Sequence, residues 1–371
     1  MSTVQLFLCG DVMTGRGIDQ IQRSPGKPLL HESYIHSALD YVALAEHRSG
    51  PIPRGAPPSY VWGDALGELE RRRPDVRLVN LETAVTTSDD AWPGKLVHYR
   101  MHPANIACLT AAGVDCAVLA NNHVLDWGRA GFAETLATLH EAGIAVAGAG
   151  RNEREAAEPA VLTARTGGHV LVFGFAMTSA GTPAGWAATN SRSGVCMLPD
   201  CSTASAERIG TRIAEHRRTG DVVVVSIHWG PNWGYEVDSA RQQFARALVD
   251  RAGVDVVHGH SSHHPMAIEM HAGRPILHGC GDFINDYEGI SGYGEYRPDL
   301  TLMYFVSIDP INGGAADLRL VPLRRKHFRL YHASEADLAW LLQMLNREGA
   351  QTGTQAERSG EHELRIGCLA D

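Results

Sequence analysis

Val254-Asp255-Val256-Val257-His258-Gly259-His260-Ser261-Ser262-His263-His264-Pro265 runs from branched apolar residues into a glycine-punctuated turn carrying four histidines. The apolar half predicts a buried strand. Imidazoles gathered at the end of such a strand are poor core filler. His258, His260, His263 and His264 therefore point to metal ligands or acid–base groups.

The same grammar recurs upstream. A strand predicted over residues 4–9 leads into Gly10-Asp11-Val12-Met13-Thr14-Gly15, which places a carboxylate among glycines where backbone can approach a ligand. A second, over 76–80, ends at Asn80-Leu81-Glu82-Thr83, and a third, over 114–120, ends at Asn121-Asn122-His123-Val124-Leu125-Asp126. The apolar run 221–227 delivers His228-Trp229-Gly230. Helices are expected over 35–47, 61–73, 105–112, 130–142, 203–218, 239–251 and 335–345. Strand, polar cluster, helix is the alternation of an α/β core, which collects its sites at strand ends. Paired strands at 161–164 and 170–175, and again at 266–270 and 275–278, make the sheets partly antiparallel, which argues against a simple dinucleotide fold.

Further strands are expected at 301–308 and 316–322, whereas the polar stretch 347–361 receives no element. No linker divides the chain firmly. One domain over residues 1–371 is expected, with residues 288–371 completing it. Insertions at about 18–74 and 178–199 are candidate lid and substrate loops.

Composition narrows the function classes. The 371 residues are 44% hydrophobic and 20% charged, with a formal charge of −9. That balance, without a basic stripe, argues against nucleic acid. Seven cysteines contain no CxxC pair, which suits a reduced compartment. The N-terminus enters a strand without a basic lead, and no 18-residue apolar run occurs, so a cytoplasmic protein with no membrane span is expected.

Five strand ends thus present Asp11, Glu82, Asn122 with His123, His228, and His260 with His263. Carboxylate, amide and imidazole donors suit a divalent cation, and the mix accommodates Mn, Fe, Zn, Mg or Ca. Asp11, Glu82, Asn122, His228, His260 and His263 are the candidate metal ligands. Asp11, His123, Asp126, His260 and Asp282 are the candidate catalytic groups. Trp186, Trp229, Trp233 and Tyr235 lie near the same ends as candidate substrate contacts.

Gly10-Asp11-Val12-Met13, Val79-Asn80-Leu81-Glu82-Thr83, residues 120–128, His228-Trp229-Gly230, Gly259-His260-Ser261-Ser262-His263 and Gly279-Cys280-Gly281-Asp282-Phe283 occur in family order. Together they resemble the bacterial capsule-biosynthesis CapA, or poly-gamma-glutamate synthesis, branch of the calcineurin-like metallophosphatase fold. The resemblance implies a two-sheet sandwich flanked by helices, four layers αββα, with the site at its crest. It implies that Asp11, Glu82, Asn122, His228, His260 and His263 hold metal, with His123 as acid. The chain departs from that pattern at Met13, where a ligand histidine is usual, and at Glu82, which replaces a bridging aspartate. The last two histidines are three residues apart instead of two, and Asp282 stands where many relatives carry asparagine.

Two activities follow from the resemblance. One is metal-dependent phosphoester hydrolysis, or a role in poly-gamma-glutamate synthesis. The other, suggested by a specialised lasso-peptide epimerase of this branch, is inversion of the Cα of a C-terminal tryptophan, with calcium and His/Asp pairs. The surplus of histidine and aspartate around an altered two-metal pattern favours the epimerase, with a peptide of aromatic C-terminus as substrate.

Overall fold

The computed structural model describes residues 3–165 and 167–369. It is an α/β structure with two large mixed sheets, alongside two-stranded ribbons formed by Ala84–Val85 with Arg100–Met101 and by Ala149–Gly150 with Gly194–Val195.

The larger sheet is centred on Val4–Val12. On one side Val76–Leu81, Cys116–Val118 and Ala145–Ala147 follow in parallel. On the other, Leu300–Ile308 and Ala315–Lys326 add antiparallel strands, followed by the hairpin Thr354–Gly360 and Glu363–Cys368. The short strand Asp282–Ile284 pairs in parallel with the end of Val4–Val12. The second sheet runs Ile268–His271, Arg274–Leu277, Val256–His260, Val222–His228, His169–Ala176, Ala160–Thr163, antiparallel only at its edges.

Strands buried on both faces lose the alternation of polar and apolar residues, and the second sheet shows why. Val170, Val172, Val222, Val224 and Val256 share a core with Leu6, Leu8, Leu78, Leu320 and Leu364 of the larger sheet. The intervening Leu171, Phe173, Val223, Val225 and Val257 pack instead on Ile209 and Ile213 of helix Thr203–His216 and on Phe244 and Leu248 of helix Ser239–Asp250. Both helices start on side-chain caps: Ser202 accepts from the Ser205 amide and Asp238 from the Arg241 amide.

Three expectations are revised. The segment 347–361 is not featureless: helix Glu335–Gly349 runs into it, and Thr354–Gly360 follows as one strand of an edge hairpin. Only Thr354 and Ala356 of that strand are buried, so its exposed polar face hides the strand period. The loop 178–199 buries Trp186, Val195 and Leu198 and contributes no residue to the cavity lined by Trp233 and Tyr287. The insertion 18–74 is partly core, through Ile52, Ala56, Val61, Trp62 and Leu69, while Tyr34, Tyr41 and Arg48 line that cavity.

Candidate metal centre

Strand register assembles the centre. In the larger sheet Asp11 pairs with Asn80 on one side and Asp282 on the other. In the second sheet His228 pairs with His260. Neighbouring strand ends therefore bring together residues far apart in sequence, and one atom each of Asp11, His228 and His260 lie within 4.8 Å of one another. Glycines permit the close approach: a Cβ on Gly10 would sit 1.5 Å from the Gly281 carbonyl oxygen.

Buried carboxylates crowd this point. Asn80 Nδ2 donates to Asp11 Oδ1 at 2.7 Å, and the Ser261 amide to Oδ2 at 3.2 Å. Burial, with repulsion from Asp282, pushes the Asp11 carboxyl up to about 7. Burial and the neighbouring Asp11 carry Glu82 well above the ordinary range, and Glu82 Oε2 has no hydrogen-bond partner among the described residues.

A chain of hydrogen bonds fixes the His260 ring. His258 Nε2 lies 2.9 Å from the Cys9 carbonyl, which can only accept, so that nitrogen carries the proton. Burial holds His258 down at about 4 and hence neutral, so its Nδ1 is an acceptor, 2.9 Å from Ser226 Oγ. The Ser226 hydroxyl donates there and accepts from His260 Nε2 at 3.0 Å. His260, driven well down by burial and by His228 and His258, is then left with a bare lone pair on Nδ1.

A second chain arrives from the opposite side. His228 Nε2 donates to Asn122 Oδ1 at 3.1 Å, and burial with the neighbouring His123 and His263 keeps this ring neutral as well. Its Nδ1 is therefore also bare, and it faces His260 Nδ1 at 2.8 Å. Two lone pairs at that distance repel unless a cation sits between them. With Asp11 Oδ1 3.9 Å from His260 Nδ1, two imidazoles and a carboxylate make a donor set for a divalent metal. The residues present fit such an ion.

The remaining candidates surround this triad. Glu82 Oε1 lies 3.9 Å from His228 Nε2 and 3.8 Å from His123 Nε2. Asn122 holds His228 through its carbonyl oxygen. His263 stands outside the triad, with Nδ1 on Asp282 Oδ1 at 2.8 Å and Nε2 on Asn232 Nδ2 at 3.0 Å. Burial opposes its protonation, but the Asp282 carboxylate prevails and raises it. Met13 is fully buried, and its amide donates to the Ile284 carbonyl.

His123 and Asp126 form a dyad, Nδ1 to Oδ2 at 2.6 Å. Burial depresses His123 to about 4 despite the carboxylate. Burial would raise Asp126, yet His123 and Lys95 hold it below the usual range. Lys95 bonds the Asn122 carbonyl and Asp126 and lies 3.3 Å from His123 Nδ1. As a single cation in an irregular loop it carried no sequence signal. Ser226 was equally hidden, inside the apolar run Val222–His228.

The aromatic candidates divide. Trp229 follows His228 by one residue, so strand alternation sends it to the other face, where it packs on Phe244 and donates to the His278 carbonyl. Trp186 is fully buried against Trp92. Neither can meet a substrate from solvent. Trp233 lines the cavity beside His263, stacked on Tyr293 with centroids 3.9 Å apart. Tyr235 lies against His264 and Arg347 instead.

The family model described as bacterial capsule synthesis protein PGA_cap matches residues 5–287. The chain is 42% identical to a "probable polyglutamine synthesis accessory protein" of Mycobacterium tuberculosis over 364 residues, 98% of this chain and 96% of that one. It is 27% identical to the "PGA biosynthesis protein CapA" of Bacillus subtilis over 75% of this chain and 62% of the relative. With the "capsule biosynthesis protein CapA" of Bacillus anthracis it shares 28% identity, over 62% of this chain and 52% of the relative. These relatives overturn the expected lasso-peptide epimerase, and with it the peptide substrate of aromatic C-terminus: the likeness to the mycobacterial protein spans nearly the whole chain, and all three relatives are named for capsule, PGA or polyglutamine synthesis. No described helix is long and apolar enough to cross a membrane. The chain belongs to the capsule synthesis branch, CapA or PGA_cap, of the calcineurin-like metallophosphatase fold.

Proposed function

We propose that this member of the capsule synthesis family is a metal-dependent hydrolase with phosphoester-type chemistry, working in the synthesis of a capsule-type polymer. The observation that carries the reading is the pair of facing lone pairs on His228 Nδ1 and His260 Nδ1, 2.8 Å apart beside Asp11. Two imidazoles beside one carboxylate favour a transition-metal cation, Fe or Zn and also Mn, over calcium, which takes oxygen ligands. A cation held by Asp11, His228 and His260 would polarise the substrate oxygen and acidify water.

The protein's own groups do the rest. Asn80 and the Ser261 amide hold the Asp11 carboxylate in place. Asn122 and the Ser226–His258 chain aim the two imidazoles. His123, neutral at pH 7 with Nδ1 committed to Asp126, has Nε2 free to take a proton and return it to the leaving group. Lys95 offsets the charge of that dyad. The same reading takes the two sheets and their outer helices as the αββα sandwich of the fold, acting as one domain.

The test is metal analysis of the purified protein, with hydrolysis of bis-p-nitrophenyl phosphate before and after chelation. The reading expects a bound transition metal and turnover that falls on chelation and returns on adding Mn2+. His260→Ala should lose both while staying folded. A folded wild type that binds no transition metal refutes it.

A further inference from the structure

Beside the metal centre lies a cavity of about 1300 Å3, with His263 and Asn285 on its wall. The chain as a whole is acidic, at −9, but the cavity is not. Its cations fall into two groups. Arg16 is matched by Asp286 and Glu32, and Arg297 and Arg324 by Asp299 and Asp337.

Arg325 is different. It is 7% exposed, and its terminal nitrogens donate to the main-chain carbonyls of Asp282 and Pro298. Carbonyl dipoles orient a guanidinium without cancelling its charge, and arginine keeps that charge when buried. Among the described residues no carboxylate forms an ion pair with it. Arg48 and Lys326 also line the cavity, are exposed, and form no ion pair among the described residues. His327 Nε2 lies 2.6 Å from the Ser49 carbonyl, which ties together the two segments that carry Lys326 and Arg48. Among the described residues, the unpaired carboxylate on this wall is Glu288, which accepts from the Phe328 amide.

The position of Arg325 matters as much as its charge. The Asp282 whose carbonyl it holds is the residue that binds His263 and pairs in register with Asp11. Arg325 is thus one residue removed from Asp11, and Trp233 stacked on Tyr293 provides an apolar surface in the same cavity.

We propose that Arg325, with Arg48 and Lys326, forms an oxyanion subsite that holds a second anionic group of the substrate, a carboxylate or a phosphate, apart from the bond cleaved at the metal centre. The membership of that group in a substrate rests on the hydrolase reading; anion binding at this wall does not. A charged wall of this kind selects ligands by charge and suppresses neutral ones.

Titration calorimetry on the full chain, stripped of metal and then freed of chelator, tests it, with glutarate, inorganic phosphate and neutral glutaramide as separate probes. At least one anion should bind and glutaramide should not. Tighter glutarate assigns the subsite to carboxylates, and tighter phosphate to phosphates. Arg325→Gln should weaken the anion roughly tenfold or more, the loss expected for a hydrogen bond to a charged group. Because Arg325 also ties two main-chain segments, the exposed double variant Arg48→Gln/Lys326→Gln is measured beside it and should weaken binding by roughly threefold or more. His260→Ala should bind the anion as wild type does. If His260→Ala binds the anion but the wild type holds no metal, the hydrolase reading fails alone. Wild type that binds neither anion, or a double variant that binds as tightly as wild type, overturns the subsite.

Discussion

Replacing Asp11 by asparagine should make the metal-free protein more stable at pH 8 while destroying its metal site. Folded Asp11 keeps its proton up to about pH 7, against 3.8 for an ordinary aspartate, a difference worth about 4 kcal/mol. Between those two values the folded state holds a proton that the unfolded chain has lost. Stability therefore falls as pH rises through that window, and stays reduced above it. The substitution would remove the burden and keep the bond from Asn80, but the new NH2 group would face the Ser261 amide that now donates to Oδ2. An unsatisfied amide costs about 1–3 kcal/mol. The net gain expected at pH 8 is therefore about 1–3 kcal/mol, reversing at pH 4. Urea unfolding of wild type and Asp11→Asn at both pH values, in chelator, measures it. With Mn2+ added at pH 8 the order should invert, because only wild type gains binding free energy. A variant less stable than wild type at pH 8 in chelator, or an advantage equal at both pH values, would refute the argument that crowded carboxylates are held together by a cation.

Two other substitutions separate the roles around the centre. His123→Gln should lower phosphodiester turnover by about 10²- to 10⁴-fold, as for a general acid–base group, while metal content by elemental analysis stays at the wild-type level. Ser226→Ala breaks the link between His258 and His260, so Mn2+ affinity by calorimetry should fall by about 10- to 100-fold; unchanged affinity would mean that the serine is packing alone.

Much of the fold was legible because its inner strands are buried on both faces. Val222–His228 and Val256–His260 read as apolar runs for that reason, and the polar residues after them announced strand ends. Legibility stopped where meaning depends on a partner strand. Nothing in the local sequence says that His228 faces His260, or that Asp282 lies beside Asp11, since register is a tertiary property. Lys95 gave no sign because a loop lysine has no period. Trp229 is a different case: alternation after His228 already implies the opposite face, and nearness in sequence to a ligand is not nearness in space. The epimerase expectation failed for a related reason. A surplus of histidine and aspartate is equally the surplus needed to position imidazoles around a cation, as His258 does for His260 through Ser226, Asp126 for His123 and Asp282 for His263.

Cys9 and Asp11 sit two residues apart in one strand, and the pairing of that strand with Val76–Leu81 shifts between Leu8 and Asp11. Asp11 supplies a carboxylate, while the Cys9 carbonyl dictates, through two rings and a hydroxyl, where His260 keeps its lone pair. A slip of the strand by one residue would remove both contributions together. On the proposed ligand set, cation uptake would thereby be an inspection of assembly. A chain whose two sheets have not met in their final register could not be loaded, and a loaded chain would carry in its metal a record that the joint between them closed correctly.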